Sequence, residues 1–315
     1  MTLPDLLAAA CARGGADLHL SVGSPPRVRV HGLLQALDQP PLSAEVTQAL
    51  VYSALTAAQR AAFEERWEQD VAFGLSGVGR FRCNVFRQKG SIGAVFRLIP
   101  EATPTLEQLG LPPVLARLAD RPRGLVLVTG PTGCGKSTTL AALVDRVNAT
   151  RPAHILTIED PIEYLHQHKK ALVNQREVHA DTRTFAAALR GALREDPDVV
   201  LVGEMRDLET MEAAMKLAET GHLTLATLHT NSAAQTMTRI IDAFPANQQS
   251  QIRTQLSLVI EGIVCQALVP TAGAAPWRWR FSLPRRRFAT SSGKTRFTRS
   301  TRTCSRGRTG TTCRP

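Results

Sequence analysis

A glycine-rich segment that follows an apolar run is the part of the sequence best suited to chemistry. Residues 124–129 read Gly-Leu-Val-Leu-Val-Thr, and the next nine match the pattern G-x-x-x-x-G-K-[ST]. Backbone N–H groups of such a loop surround phosphate oxygens, and its lysine, Lys136, reaches the terminal phosphates. The residues expected to bind the nucleotide are Gly130, Pro131, Thr132, Gly133, Cys134, Gly135, Lys136, Ser137 and Thr138. The sequence therefore predicts an ATP site with Mg²⁺ bound by Ser137 or Thr138.

Four apolar runs are expected to be the strands that position this chemistry. They are Leu125–Val128, Ile155–Ile158, Val199–Val202 and Leu223–Leu228. Near-continuous apolar runs are typical of parallel strands covered on both faces, and ligands bind at the carboxyl ends of such strands. Polar residues follow every run, at Gly130–Ser137, Glu159–Glu163, Gly203–Arg206 and His229–Asn231. The four segments are therefore expected to meet at one site.

Three of these segments carry candidates for the transfer of a phosphoryl group to water, which needs positioned charge, a metal and a group that activates the water. Glu204 directly follows an apolar strand, as in a Walker B motif, and is expected near Mg²⁺ or its water shell. Glu159 and Glu163 are alternatives for the activating base, although carboxylates at a strand end also cap turns. His229 lies where a contact with the γ-phosphate is expected, whereas His222 is as compatible with packing as with function.

The charge of the chain is concentrated in its last 45 residues. The 315 residues carry a net charge of +11, but residues 271–315 contribute eleven Arg, one Lys and no acidic residue, so residues 1–270 have a net charge of −1. A polyanion-binding function for the body is therefore not indicated. The six cysteines form no C-x-x-C pair and no zinc-ligand pattern, and no apolar run reaches the length of about 20 residues that spans a bilayer. We expect a cytoplasmic protein without direct membrane insertion.

The length and the patterning predict two domains and a tail. Residues 1–100 alternate helical and extended patterns, which indicates an α+β domain, and a capping box at Thr56–Gln59 is expected to begin one of its helices. A proline-containing linker is expected at 101–120, the nucleotide-binding core at 121–270 and an aberrant, disordered basic tail at 271–315.

Several longer segments resemble one family, the motor ATPases of type II secretion and type IV pili. The run Leu189–Thr210 contains LRGALREDPD, four apolar residues and GEMRDLET, which is a long and specific match. TIEDPIEY at Thr157–Tyr164 and ETGHLTLATLHTNSA at Glu219–Ala233 resemble the acidic and histidine boxes of the family. Within the family, residues 1–270 resemble the PilT-type retraction ATPases of twitching motility, also at Ala16–Ser21 and Gly79–Gln88.

The resemblance implies a fold, a mechanism and partners. The implied fold is a PAS-like α+β domain followed by a RecA-like P-loop core, assembled as a homo-hexamer with ATP between domains. Glu163 becomes the preferred catalytic base and Glu204 the Walker B carboxylate, while Arg82 and Arg97 are charge-stabilising arginines delivered by domain closure. The implied partner is an inner-membrane pilus platform protein, at the cytoplasmic face of the pilus machine, with no nucleic acid involved.

The sequence departs from the family beyond about residue 273. Family members continue with a strand and a helical segment close to AIRNLIRE, whereas this chain is rich in Arg, Thr and Ser. Codons for Phe288–Arg302 can be chosen so that the neighbouring frame reads V-R-N-L-I-R-E-D-K-I-H-Q-I-Y-S, which predicts a frameshift at about Gly273–Trp277. If the tail is real, a non-hydrolysing interaction protein is an alternative.

Other functions remain open at this stage. An accessory retraction ATPase and an assembly or secretion ATPase belong to the same superfamily, although the latter usually carry an extra N-terminal domain and a four-cysteine zinc insertion that the sequence does not predict. A nucleic-acid translocase is the alternative from another class, since RecA-like cores also drive DNA.

Overall fold

The computed structural model describes residues 1–30, 32–99 and 102–269, with four further stretches at 278–279, 281–284, 301–307 and 310–314. The chain divides into two compact units, Met1–Ala102 and Thr103–Pro315. In the ranges that the structure describes, no helix combines the length and the apolarity needed to cross a bilayer.

The N-terminal unit is an α+β domain with one antiparallel sheet. Its strands are β1 (Asp17–Leu20), β2 (Arg27–Val30), β3 (Leu33–Ala36), β4 (Glu68–Leu75), β5 (Gly79–Gln88) and β6 (Ser91–Ile99), and its helices are α1 (Leu3–Ala12), α2 (Ala44–Tyr52) and α3 (Ala57–Arg66). The strand order is β3-β2-β1-β6-β5-β4. Leu18 and Phe96 of the central strands share a buried cluster with Leu6, Val51 and Phe63 of the helices. One face of the sheet therefore forms the core of this unit.

The predicted capping box is confirmed at the start of α3. The Thr56 hydroxyl accepts from the Gln59 N–H at 3.3 Å, and the Gln59 side chain accepts from the Thr56 N–H at 2.9 Å. These reciprocal bonds satisfy two N–H groups that have no partner within the helix, so the local sequence fixes where α3 begins.

The second unit is built on a six-stranded parallel sheet. Its strands are β7 (Gly124–Thr129), β8 (His154–Glu159), β9 (Leu172–Glu177), β10 (Val199–Val202), β11 (Leu223–Leu228) and β12 (Ile260–Cys265). Its helices are α4 (Pro113–Ala119), α5 (Lys136–Thr150), α6 (Phe185–Ala192), α7 (Leu208–Glu219), α8 (Ala233–Asp242) and α9 (Gln249–Val259). The order is β12-β7-β11-β10-β8-β9, and each neighbouring pair is parallel.

Helices cover both faces of this sheet, which explains its continuous apolar strands. Leu125 and Leu127 pack in a buried cluster with residues of α6 to α9, whereas Val126 and Val128 pack with residues of α4 and α5. Alternate side chains at positions 125–128 of β7 therefore enter two separate cores, which explains why these four residues are all apolar.

The predicted architecture, an α+β domain followed by a parallel-sheet core, is confirmed. All four predicted core strands are present, and Val199–Val202 and Leu223–Leu228 have the predicted bounds. Two further strands of this sheet, β9 and β12, were not predicted. Leu106 and Leu111, which fall within the expected linker at 101–120, pack in a buried cluster of the second unit; the bounds of the linker stay a prediction.

The chain beyond β12 is described only in part. Short strands lie at β13 (Leu268–Val269), β14 (Arg278–Trp279), β15 (Phe281–Pro284), β16 (Thr301–Gly307) and β17 (Gly310–Arg314). β13 pairs with β14, and β16 pairs with both β15 and β17, in each case antiparallel. The whole region of the predicted frameshift, Gly273–Trp277, and residues 285–300 lie outside the described residues, so the frameshift and the disordered tail stay predictions.

Candidate nucleotide-binding and hydrolysis site

The glycine-rich loop connects the end of a central strand to the N-terminus of a helix. β7 ends at Thr129 and α5 begins at Lys136. Gly133 and Gly135 have φ angles of 79° and 84°, a left-handed conformation that glycine adopts without steric cost. No side chain caps α5 at Gly135, so the first N–H groups of the helix are available to a bound anion. The segment therefore has the local structure of a phosphate-binding loop.

Gly130 is sterically required at the first position of the loop. Its φ is 148°, and a Cβ atom there would lie 2.3 Å from the main-chain oxygen of Gln266 and 2.6 Å from Sγ of Cys134. We expect Gly130→Ala to destabilise the core by about 2 kcal/mol or more, because a main-chain atom cannot move aside as a flexible side chain could. Thermal unfolding measures this change. Gly74→Ala is the control, since a Cβ at Gly74 meets nothing within 4 Å, and an equal loss in both variants would contradict the prediction.

Lys136 lies inside the loop and is bonded to it. Its Nζ donates to the carbonyl oxygens of Gly130 at 3.0 Å and Pro131 at 3.1 Å, and the residue is only 8 % exposed. Burial of an ammonium group is costly unless it is hydrogen-bonded, so these two carbonyls stabilise it. Phosphate oxygens are stronger acceptors for this charge than neutral carbonyls. The lysine is therefore placed to exchange loop carbonyls for phosphate.

The two hydroxyl groups that follow Lys136 have different surroundings. Oγ1 of Thr138 and the hydroxyl of Tyr164 are hydrogen-bonded at 3.0 Å. Tyr164 belongs to the predicted acidic segment after β8, so this bond joins the phosphate loop helix to that segment. Ser137, which is half-buried, is the other candidate ligand for Mg²⁺.

Glu204 and His229 meet at the ends of neighbouring strands. Glu204 follows β10 and His229 follows β11, and the two strands are parallel and paired. Oε1 of Glu204 lies 3.1 Å from Nε2 of His229, and its Oε2 lies 2.8 Å from Nε of Arg206. The three side chains line a cleft of about 350 Å³ with Met205, Leu228, Thr230 and Arg239. The structure thus brings together the residue predicted near Mg²⁺, Glu204, and the residue predicted near the γ-phosphate, His229.

Glu159 and Glu163, the two alternatives for the base, differ sharply in their surroundings. Glu159 is 9 % exposed, and its Oε1 accepts from the Thr157 hydroxyl at 2.7 Å and from Nε2 of Gln175 at 3.3 Å. Its Oε2 accepts from the backbone N–H of Glu163 at 3.4 Å. Glu163 is exposed to solvent. Because its carboxylate oxygens are already engaged, Glu159 is a support of the segment, and Glu163 is the carboxylate that can approach water.

Burial raises the pKa of Glu159 to about 7, since removal from water disfavours the ionised carboxylate, and the nearby Glu163 charge acts in the same direction. A carboxyl group whose pKa is higher in the folded protein than in the unfolded chain stabilises the fold at low pH, and this contribution is lost as the pH rises through about 7.

We therefore expect the stability of the wild type relative to Glu159→Gln to fall by about 2 kcal/mol between pH 5 and pH 8. The amide does not titrate, so the difference between the two unfolding midpoints at each pH isolates this carboxyl group. Glu219→Gln, at an exposed position of α7, is the control and should follow the wild type at both values. A constant difference between wild type and Glu159→Gln would contradict the assignment.

The family of this chain follows from its similarity to known proteins. The family model described as "Type II/IV secretion system protein" matches residues 3–313. The chain belongs to this family. A relative described as "Type IV pilus retractation ATPase PilT", from Pseudomonas aeruginosa, is 53% identical over 87% of this chain and 79% of its own length. "Type IV pilus ATPase PilU" from the same organism is 46% identical over 86% of this chain and 71% of its own length.

A solved structure also matches most of the chain. The structure titled "Crystal Structure of the Pilus Retraction Motor PilT and Bound ADP" has a TM-score of 0.87 and 51% identity, and the match covers 90% of this chain and 82% of that one. The expected resemblance and the RecA-like fold of the core are confirmed.

Two arginines predicted to act on the nucleotide lie in the N-terminal unit. Arg82 on β5 and Arg97 on β6 are directly opposite each other in the antiparallel ladder. Nε of Arg97 donates to Asp17 at 2.7 Å, and Arg82 lies 3.7 Å from Asp70. Both side chains are on the face opposite the buried cluster, and that of Arg97 is 67 % exposed. Their action on a nucleotide stays a prediction in this family member.

His222 does not lie at the candidate site. It precedes β11, whereas the loop, Glu204 and His229 lie at the carboxyl ends of the strands. Its Nδ1 is 3.0 Å from the carbonyl oxygen of Leu217 and 3.1 Å from the Thr220 hydroxyl, at the end of α7. Of the two interpretations that the sequence left open for His222, the structure favours packing.

Two glutamines near the site were missed by sequence reasoning. Gln175 of β9 contacts Glu159, as described above. Gln266 follows β12, is 2 % exposed, and donates from Nε2 to Oγ1 of Thr139 at 2.8 Å and from its backbone N–H to the Thr129 carbonyl at 2.7 Å. Gln266 directly follows three apolar residues, Ile263–Cys265, much as the predicted site segments follow their longer apolar runs, so that pattern is a weak signal that could have located it.

Proposed function

We propose that this chain hydrolyses ATP and uses the energy to drive the retraction of type IV pili. The observation that carries the proposal is the convergence of the phosphate loop, Glu204 and His229 at the carboxyl edge of one parallel sheet. The relatives named as type IV pilus ATPases and the pilus retraction motor with bound ADP support this assignment.

Each residue of the proposed site has a stated part in hydrolysis. The backbone of Gly130–Thr138 and the ammonium of Lys136 hold the phosphates, and His229 lies beside the γ-phosphate. Glu163 accepts a proton from the attacking water. Ser137 and Glu204 hold Mg²⁺ directly or through its water, and the ion supplies positive charge for the phosphate oxygens when bound. The hydroxyl of Ser137 and the carboxylate of Glu204 are oxygen ligands of the kind that Mg²⁺ prefers.

The proposed motor is a homo-hexamer at the cytoplasmic face of the inner membrane. In each subunit, Arg82 and Arg97 reach the nucleotide when the domains close, so hydrolysis depends on a closed state and is coupled to motion. The partner is the pilus platform protein of the inner membrane. The higher identity to the protein named as retractation ATPase, 53% against 46% for PilU, supports retraction as the leading assignment.

Two measurements test the proposal. The purified chain should release phosphate from ATP only when Mg²⁺ is present. The same gene should restore twitching in a bacterium that lacks its own retraction ATPase, whereas Lys136→Ala should not. Absence of ATP turnover would overturn the enzymatic assignment. Turnover without twitching would favour another pilus or secretion ATPase, or a chain inactivated by its altered tail.

We expect the ability of this product to retract pili to depend on its C-terminal tail. Resequencing of codons 270–280 tests whether the sequence of that tail is correct. A restored frame would give a chain that continues with a segment close to V-R-N-L-I-R-E and that is expected to support twitching. Confirmation of the present frame would leave a core that hydrolyses ATP, for which we expect no retraction.

A further inference from the structure

The segment that carries Glu163 is held by a strand at the edge of the core sheet. Within the described part of that sheet, β9 pairs with β8 alone, and its residues Gln175 and Glu177 lie opposite Thr157 and Glu159. Because residues two apart on a strand share a face, both side chains of β9 are directed to the same side as Glu159. The segment at 160–166 follows β8 and passes over this side.

Both the nitrogen and the oxygen of the Gln175 side-chain amide are hydrogen-bonded to this segment. Its Nε2 donates to the carbonyl oxygen of Tyr164 at 2.8 Å and to the carboxylate of Glu159 at 3.3 Å. Its Oε1 accepts from the backbone N–H of His166 at 2.8 Å. One side chain therefore fixes main-chain groups on the carboxyl side of Glu163 and orients the carboxylate that holds the Glu163 N–H.

A second set of contacts extends this arrangement to both sides of Glu163. The carboxylate of Glu177 accepts from the backbone N–H of Ile162 at 3.1 Å. The hydroxyl of Tyr164 is hydrogen-bonded to Oγ1 of Thr138 at 3.0 Å. The residues immediately before and after Glu163 are thus attached to the sheet and to the phosphate loop helix, while the Glu163 side chain itself is exposed.

We propose that Gln175 is a positioning residue for the hydrolytic carboxylate Glu163, through its hydrogen bonds to Glu159, Tyr164 and His166. The proposal rests on the proposed function, since it assumes that Glu163 activates water. A displacement of about 1 Å in a catalytic group can cost about 100-fold in rate, so a clamp on the main chain around the base has a direct effect on turnover. The nucleotide is held by other residues, so its binding does not depend on Gln175.

The first test is Gln175→Met, which keeps the volume of the side chain and removes all three hydrogen bonds. We expect kcat for ATP to fall about 10- to 100-fold while KM stays within about twofold. Asn174→Leu is the matched control, since Asn174 is an exposed residue of the same strand whose side chain contacts His154 and not this segment. A kcat of Gln175→Met within about twofold of the wild type would overturn the proposal.

The second test is Gln175→Glu, which keeps the shape of the side chain and stays informative if the methionine variant does not fold. Titratable groups that face this position are Glu159 on β8, Glu177 on β9 and Glu163 in the segment, with Tyr164 and His166 also in contact. The introduced carboxylate cannot donate a hydrogen bond when it is ionised, whereas its protonated form can donate one of the two hydrogen bonds that the amide donates.

We therefore expect the kcat of Gln175→Glu relative to the wild type to rise at least about threefold between pH 8 and pH 6. A residue that only fills space would give a ratio independent of pH, and that result would overturn the proposal. Wild-type turnover and the loss of turnover in Glu163→Gln are measured in the same assay. Absence of wild-type turnover would overturn the proposed function, and undiminished turnover in Glu163→Gln would overturn the role of Glu163 on which this inference rests. If both measurements come out as expected and the Gln175 variants are normal, only this inference fails.

Discussion

Lys136→Ala is expected to reduce ATP turnover by about 1000-fold or more, to the background of the assay. The ammonium is the side-chain charge inside the loop, and transfer of a phosphoryl group depends on positioned positive charge. Its removal also leaves the carbonyl oxygens of Gly130 and Pro131 without the donor that they bond now. Phosphate release at saturating Mg²⁺ and ATP measures the effect.

The control for this variant is Lys170→Ala. Lys170 is an exposed residue before β9, so its removal changes the net charge by the same amount without touching the loop. The control should retain wild-type turnover. Appreciable hydrolysis by Lys136→Ala would show that the phosphate loop is not where ATP is cleaved, and the site assignment would then be wrong.

Glu163→Gln is expected to lower kcat by about 100- to 10,000-fold while ATP binding is retained. The amide has nearly the shape of the carboxylate but cannot accept a proton from water, so the loss would report the chemical step. Glu159→Gln should lower kcat by less than about tenfold, because Glu159 is buried and its oxygens already accept from Thr157, Gln175 and the Glu163 N–H.

Steady-state phosphate release gives kcat for both variants, and titration with a fluorescent ATP analogue gives the affinity. The two substitutions are chemically identical and lie four residues apart, so each is the control for the other. If Glu159→Gln loses as much activity as Glu163→Gln, or more, the assignment of the base to Glu163 is contradicted.

β7, β10 and β11 could be predicted from the sequence because their side chains are buried on both faces of the sheet. β7, β10 and β11 consist almost entirely of apolar residues, and helices cover both of their faces. The order and register of these strands depend on contacts between segments that are distant in the sequence. A local sequence pattern carries no information about such contacts. The convergence of the site could nevertheless be predicted, because parallel strands place all their carboxyl ends at one edge.

β9 could not be predicted, for a physical reason that also explains its role. It reads Leu-Val-Asn-Gln-Arg-Glu and lies at the edge of the sheet, so it lacks the continuous apolar run of its neighbours. Gln175 and Glu177 of this strand have partners at the end of β8 and in the segment after it, among them the bonds from Gln175 to Glu159 and Tyr164. A polar strand of this kind resembles a loop in the sequence until its partners are known.

The choice between Glu159 and Glu163 as the catalytic base likewise required the three-dimensional structure. Both are glutamates of the same short segment, and their spacing does not distinguish a support from a base. Burial distinguishes the two glutamates, because it removes Glu159 from water and raises the pKa of Glu159 to about 7, while Glu163 remains exposed. The resemblance to the family indicated Glu163 from the sequence, and the geometry gives a physical reason for that choice.

Gln266 has a mechanical consequence for a chain that continues beyond it. Its backbone N–H is bonded to Thr129, before the phosphate loop, and its side chain to Thr139, after the loop. The polypeptide that leaves β12 is thus hydrogen-bonded to a residue on each side of the phosphate loop. Any displacement of the chain at Gln266 would therefore strain hydrogen bonds on both sides of the loop at once.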